Sequence, residues 1–273
     1  MGIVRKTAIV VPCYNEQKRL KTGEFLTFAS REKDIFFIFV NDGSTDGTGR
    51  VLKELAKANP VCAASVELAK NAGKAEAVRQ GFLKAFELGY EYVGFWDADL
   101  ATPLECIPEF VSIIDSGKDV VLGSRVKLLG RKIQRRAARH YLGRLFATLV
   151  SVLLKIPVYD TQCGAKLFRR TASLEAAMSR PFSVKWTFDV ELLGRLSLLD
   201  EASGRPGCQE AWVEFPLPSW EEVRGSKVKS ADFMRSGLEL LKLMSFFYSG
   251  FMRKRYLKSF QVKSGKSVFT KAV

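Results

Sequence analysis

Asp97 and Asp99 stand one residue apart, directly behind the apolar run 92–96. Two carboxylates so placed suit a hard divalent cation held through oxygen, such as Mg²⁺ or Mn²⁺, and shared with a diphosphate. An isolated Asp-x-Asp is most often a solvated turn, so this pair draws its weight from its company. Three more polar clusters follow apolar runs. They are Pro12-Cys13-Tyr14-Asn15-Glu16 after 7–11, Asn41-Asp42-Gly43-Ser44-Thr45-Asp46-Gly47 after 35–40, and Lys70-Asn71-Ala72-Gly73-Lys74 after 61–68. Gathered in one place, they make a nucleotide-sized site with several carboxylates. No glycine loop ends in Gly-Lys-Ser/Thr, and Leu52 stands where Gly47-Thr48-Gly49 needs a third glycine, so P-loop and dinucleotide chemistries are disfavoured. His140 is the only histidine, which removes His-rich zinc sites and any mechanism that needs two imidazoles.

Alternating elements must position these clusters. Apolar runs predict strands over 7–11, 35–40, 61–68, 92–96 and 120–123, and helical spacing predicts helices over 20–31, 46–58, 74–88 and 103–116. Asp46 or Thr45 falls near the N-cap of the second helix, and Pro103 in the first turn of the fourth. Continuous apolar strands between amphipathic helices imply an α/β fold, a mostly parallel sheet covered on both faces. Such folds bind ligands at the carboxyl ends of their strands, where the polar clusters stand. The 273 residues divide into a catalytic body over 1–224 and a basic, apolar helical extension over 225–273.

Charge is uneven. Lys and Arg number 43 against 29 Asp and Glu, a formal net charge of +14. Seven bases and no acid lie between 125 and 139, and seven bases and no acid between 251 and 273. Elsewhere acids and bases balance, so the surplus marks a localised anionic partner. The apolar stretches 145–154 and 238–252 fall short of the roughly 20 residues needed to span a bilayer, but each adjoins bases. That favours an interfacial helix on an anionic membrane surface over packing on the core or in a homodimer interface. Five scattered cysteines without a C-x-x-C pair read as reduced thiols, and residues 1–6 lead into a strand with no room for a signal peptide. A cytoplasmic protein peripherally bound to a membrane is expected.

The series Val11-Pro12-Cys13-Tyr14-Asn15-Glu16, Asn41-Asp42-Gly43-Ser44-Thr45-Asp46, Gly73-Lys74 and Asp97-Ala98-Asp99 resembles the family 2 glycosyltransferases with a GT-A fold. The run from Asp160 to Phe168, Trp186-Thr187-Phe188-Asp189-Val190-Glu191-Leu192-Leu193, and the late Trp220 with Gly225-Ser226-Lys227 look like the dolichyl-phosphate β-glucosyltransferase branch. Mannose-transferring relatives usually carry Gln where this chain has Ala101, which favours a glucose-type donor.

The resemblance implies roles position by position. Pro12, Tyr14, Glu16 and Asp42 would line a uridine pocket, with Asp42 accepting from the uracil N–H. Lys74 would lie near the nucleotide, Asp97 and Asp99 at the diphosphate with Asp99 the main metal ligand, and Lys227 on the diphosphate. Arg125 and Arg139 would face an acceptor phosphate, while Gln162, Asp189 and Glu191 border the sugar. Each residue also has a plainer reading: Asp42 as a turn residue beside Gly43, Asp46 as a helix cap, Glu191 as a surface helical residue, Trp186 and Trp220 as core, His140 at the surface. The implied reaction is inverting transfer of a sugar, glucose first, from a UDP-sugar to a polyprenyl phosphate. A phosphate oxygen is anionic at neutral pH and needs no general base. Transfer to a hydroxyl would need one, and Asp189 is then the candidate. A non-catalytic anion-binding module leaves the four strand-end clusters unexplained, and no nucleic-acid partner is expected.

Overall fold

The computed structural model describes residues 6–134, 137–223 and 230–261. The chain begins β1 (Thr7–Cys13), α1 (Thr22–Arg31), β2 (Ile35–Asn41), α2 (Thr48–Ala58), β3 (Ala63–Glu67), α3 (Lys74–Glu87), β4 (Tyr92–Trp96), α4 (Cys106–Asp115) and β5 (Val120–Ser124). It continues β6 (Lys132–Gln134), α5 (Ala137–Leu154), β7 (Ala165–Arg169), α6 (Ala172–Met178), α7 (Phe188–Ser203), α8 (Cys208–Ala211), β8 (Trp212–Pro216) and β9 (Ser219–Glu221). Helices α9 (Ser230–Tyr248) and α10 (Gly250–Gln261) follow.

Seven strands form one sheet in the order β3-β2-β1-β4-β7-β5-β8, and β6 pairs with β9 apart from it. All neighbours in the large sheet run parallel except β7, which is antiparallel to both β4 and β5. The expected mostly parallel sheet is therefore present, with one reversed strand, β7, in its interior. Several boundaries shift by one to three residues, two of them for evident local reasons. The third strand starts at Ala63 because the Asn59 carbonyl takes the N–H groups of Cys62 and Ala63, a turn that leaves Val61 exposed. The fourth helix starts at Cys106 because residues 103–107 first make short i→i+3 bonds.

Alternation along the strands sorts the core into two layers. Ala8, Val10, Phe36, Ile38 and Val40 face α3, α6 and α7. Ile9, Val11, Phe37 and Phe39 face Phe25 and Phe28 of α1, Leu52 and Leu55 of α2, and Ile107 and Phe110 of α4. Helix α3 crosses β1 closely at Gly81, where a Cβ would stand 2.2 Å from Val10 Cγ1. Helices α9 and α10 join the first layer: Leu240, Leu243, Phe247 and Tyr256 are buried with Leu192, Leu193 and Leu196 of α7, and the Phe247 ring fills the space over Gly194. The expected division between 224 and 225 falls among residues 224–229, outside the described ones, and α9 and α10 share a core with the body. No helix among the described residues is long and apolar enough to cross a membrane.

This topology gives the molecule one working edge. Strands β1 to β5 all end there. Because β7 runs the other way, its first residue, Ala165, pairs with Trp96 beside Asp97.

Candidate active site

The loops after β1, β2 and β3 are fastened to each other. Asn15 Oδ1 accepts the Thr45 N–H at 2.9 Å, and the Asn15 N–H donates to Ser44 Oγ at 3.0 Å. The Glu16 N–H donates to Thr48 Oγ1 at 2.8 Å. Asp46 accepts the N–H groups of Gln17 at 3.3 Å and Thr48 at 2.9 Å, bracing the start of α2 from the residue before its N-cap, Gly47, rather than as the cap itself. Asn15 takes a left-handed φ of 49° to turn the chain here.

Asp42 is 3% exposed. Its Oδ1 accepts from Ala72 N–H at 2.7 Å, and its Oδ2 from Gly73 N–H at 2.9 Å and Asn71 Nδ2 at 3.1 Å. Burial pushes this carboxyl above the ordinary aspartate range against the pull of those N–H groups. Asp42 is thus the tie that fastens the β3–α3 loop and brings Lys74 to the first position of α3, a duty beyond the expected contact with a base. Gly43 lies against that loop with φ 59°, and a Cβ on it would meet the Lys70 carbonyl carbon at 2.2 Å, so no side chain fits. Pro12 pairs with Val40 two residues after the β1–β4 ladder ends at Val10, so its missing N–H leaves that ladder intact. Tyr14 is half-buried, and Glu16 is buried with Arg19 Nε at 3.5 Å.

Asp97 and Asp99 follow β4 on a tight turn. The Ala101 N–H donates to Asp99 Oδ1 at 3.1 Å, and Leu100 is forced to a φ of 56°, a strained value for leucine. Lys74 Nζ lies 2.5 Å from Asp97 Oδ1, and Arg19 Nη2 lies 3.9 Å from Asp99 Oδ2. Burial, and then the charge of Asp97, push the Asp99 carboxyl above its ordinary range. Burial works against the Lys74 charge, yet Asp97, Asp189 and Asp99 together hold it above the usual lysine range. Asp97 is seated on Gly164, where a methyl group would stand 1.8 Å from Oδ2, and the Asp97 N–H donates to the Gly164 carbonyl at 2.9 Å.

Among the described residues no third Asp, Glu, His or Cys joins this pair. The protein offers two hard oxygen donors, with a carboxylate whose charge is poorly compensated. That fits a hard divalent cation completed by a diphosphate and water, and does not fit a closed zinc site.

On the other flank of β7, Arg125 at the end of β5 meets Asp160. Nε lies 2.7 Å from Oδ2 and Nη2 2.8 Å from Oδ1, a two-pronged pair. Burial works against the guanidinium charge, but Asp160 outweighs it and Asp97 adds to it, so the pKa rises above the arginine range. The Trp220 ring lies 5.4 Å from Arg125. Asp160 is held by Glu214 of β8, whose two oxygens accept the N–H groups of Tyr159 at 2.8 Å and Asp160 at 2.6 Å. A recess open to solvent is lined by Arg125, Tyr159, Asp160, Thr161, Gln162 and, from α5, Gly143, Arg144, Phe146 and Ala147.

Asp189 lies in the first turn of α7, its Oδ1 2.7 Å from the wholly buried Nζ of Lys166. Glu191 is 2% exposed, and its oxygens accept from the N–H groups of Ser183 and Val184, the Ser183 hydroxyl and the Arg195 guanidinium. With its oxygens so engaged, it does not lie on the surface. It holds a loop. Gln162 lies on the recess, with Nε2 at 3.3 Å from the Trp186 carbonyl. Arg139 falls on α5 at a position whose side chain is outside the described residues, as is that of His140, and Lys227 is outside them altogether.

The structure therefore brings Lys74, Asp97, Asp99, Arg125, Gln162 and Asp189 to one edge. Sequence reasoning did not single out Arg19, Arg144, Lys166, Gly164 or Glu214 for roles there. A lysine inside the apolar strand Ala165–Arg169 was a visible signal, as was Asp160 at the head of its motif. Glu214 gave none.

Residues 8–175 match the sequence model of Glycosyl transferase family 2. Dolichyl-phosphate beta-glucosyltransferase ALG5C of Trichomonas vaginalis is 32% identical over 258 residues, covering 89% of this chain and 72% of that protein. The dolichyl-phosphate beta-glucosyltransferases of Saccharomyces cerevisiae and Homo sapiens are each 32% identical, over 90% and 93% of this chain and 76% of each relative. Glucosyl-3-phosphoglycerate synthase from Mycobacterium tuberculosis in complex with UDP superposes with a TM-score of 0.59 at 20% identity, over 90% of this chain and 82% of that one. S. aureus TarS 1-349 superposes with a TM-score of 0.53 at 17% identity, over 89% and 72% of the two chains.

Proposed function

This chain belongs to glycosyl transferase family 2 and has the GT-A fold, and we propose that it moves glucose from UDP-glucose to the phosphate of a polyprenyl phosphate. UDP leaves and the anomeric carbon inverts in a single displacement. The relatives named dolichyl-phosphate beta-glucosyltransferase support this acceptor and sugar. The observation that carries the reading is a juxtaposition: the acidic pair with Lys74 and the recess with Arg125 meet at one sheet edge, close enough for the charge of Asp97 to act on Arg125.

The fastened loops of β1, β2 and β3 hold the nucleoside, and Lys74 remains charged to meet the diphosphate, with Lys227 assigned to the same group. Asp97 and Asp99 would hold Mg²⁺ or Mn²⁺, which when bound neutralises charge on the departing UDP. Arg125, fixed by Asp160, faces the acceptor phosphate together with Arg144. The two offset the repulsion between a phosphate monoester and a diphosphate and keep the reacting atoms in line. The phosphate oxygen attacks as the anion it already is. The hydroxyl-acceptor alternative asks Asp189 to be the base, but its Oδ1 is already engaged by the buried Lys166 ammonium 2.7 Å away.

The chain's apolar exposure supports a bilayer as the place of reaction. Leu145, Leu149 and Val152 of α5 and Leu238, Leu241 and Met244 of α9 are exposed on neighbouring helices, flanked by Arg144, Lys155 and Lys242. The β5–β6 loop adds exposed Leu128 and Leu129 between Lys127 and Arg131. Apolar faces rimmed by bases suit the cytoplasmic face of an anionic membrane. Since Gly143, Arg144, Phe146 and Ala147 of α5 line the recess, the isoprenoid chain leaves it along α5 into lipid. Co-sedimentation with anionic vesicles that weakens with salt supports this, whereas salt-insensitive dimerisation would give the faces to a second copy.

Incubation of the protein with radiolabelled UDP-glucose, polyprenyl phosphate and Mg²⁺ or Mn²⁺ tests the function. An organic-soluble, acid-labile product is expected, and its absence would overturn the assignment.

A further inference from the structure

Five successive backbone N–H groups, from Ser183 to Thr187, end on two carboxylates. Ser183 and Val184 donate to Glu191 of α7. Lys185, Trp186 and Thr187 donate to Glu239 of α9 at 3.0, 3.0 and 2.9 Å, and the Thr187 hydroxyl adds a fourth bond at 3.0 Å. One turn later, Lys242 Nζ donates to the Ser183 carbonyl at 2.7 Å. Helix α9 thus grips this segment at both ends.

The segment is next to the chemistry. Its Trp186 carbonyl accepts from Gln162 of the recess, the Lys185 charge acts on Asp42 of the nucleotide loops, and Phe188 and Asp189 open α7 immediately after it. The same stretch of α9 turns Leu238, Leu241 and Met244 outward, so Glu239 stands between an exposed apolar face and the recess wall.

Building on the transfer reaction proposed above, we infer that Glu239 is a positioning residue for it. By gathering the N–H groups of Lys185, Trp186 and Thr187, it fixes the wall shared by donor and acceptor and makes that wall follow the seating of α9. Its carboxylate orders the three residues that lead into α7, the last of them its N-cap, Thr187. Without it three N–H groups lose their acceptor at once.

The test compares the full-length wild type with Glu239→Ala and Glu239→Gln. Measured are kcat and KM for transfer, affinity for UDP with Mn²⁺, melting temperature, and amide hydrogen exchange at 185–187. For Glu239→Ala, kcat should fall about tenfold or more with UDP affinity held within about twofold, and exchange at 185–187 should speed by about a hundredfold. Glu239→Gln keeps one acceptor oxygen and should fall between the two. The inference is overturned if kcat falls only as far as the folded fraction does, or if exchange at 185–187 is unchanged. If the wild type transfers no glucose, the assigned reaction fails, while exchange at 185–187 still decides whether Glu239 fixes this segment.

Discussion

The two halves of the working edge are built by different means. On the donor side, the loops after β1, β2 and β3 bond to each other: Asn15 to Thr45, Glu16 to Thr48, Asp42 to Ala72 and Gly73. The residues that fasten the loops are the residues of the motifs. On the acceptor side, the residues at the recess are held by carboxylates from far along the chain: Asp160 by Glu214 and the Trp186 loop by Glu239. A nucleotide pocket can be assembled from strand ends that arrive together. The recess proposed for the acceptor phosphate is lined from the end of β5, from α5 and from residues 159–162, with Glu214 of the edge strand β8 behind it, and needs ties of longer reach.

The contrast makes substitutions in the two halves separable. Asp99→Asn should lower transfer by about a thousandfold, since it removes a hard ligand where the leaving charge develops. It should also raise the melting temperature of the metal-free protein, by about 2–4 °C for each kcal/mol relieved, because burial and Asp97 both disfavour the Asp99 charge. A variant that loses activity and stability together would break the assignment. Gly164→Ala puts a methyl group against Asp97 from the β7 side, and a loss of about a hundredfold in transfer with weaker cation-dependent UDP binding is expected. Normal UDP binding in that variant would mean that Asp97 tolerates displacement.

On the acceptor side, Glu214→Gln should raise the KM for polyprenyl phosphate by about tenfold, as Tyr159 and Asp160 lose an ideal acceptor. Donor affinity should stay unchanged, and an equal loss of both would erase the division. The smallest effect is on pH. Asp42 and Asp99 are both raised by burial, so as pH falls they take up protons earlier than surface aspartates, and UDP binding should decline already above the usual carboxylate range. The stability sign is opposite. A raised folded-state pKa contributes stability at low pH that is lost as pH rises through it, so Asp99→Asn should flatten that slope in metal-free protein. Calorimetry across that window reads both.

Much of the donor half was legible in the sequence. The strand Tyr92–Trp96 has the predicted bounds, and each polar cluster sits at a strand end, because parallel strands advertise themselves as apolar runs. The acceptor half was legible only in part. Ala165–Arg169 carries Lys166 at its second position and reads poorly as a core strand, since the partner that makes that lysine tolerable is Asp189, 23 residues on. Glu191 drew attention through its motif, but its duty is set by Ser183 and Val184, which no spacing connects to it, and by Arg195 one helical turn on. Glu214 and Glu239 look like ordinary acids until the backbone N–H groups facing them are known.

The central claim is that the acceptor brings its own negative charge, so no base is needed. The most direct measurement sets polyprenyl phosphate beside the unphosphorylated polyprenol of equal length, with UDP-glucose and Mn²⁺ in common. Glucose should pass to the phosphate and not to the alcohol. Comparable transfer to the alcohol would mean that a side chain at this edge takes up a proton, and the account would fail.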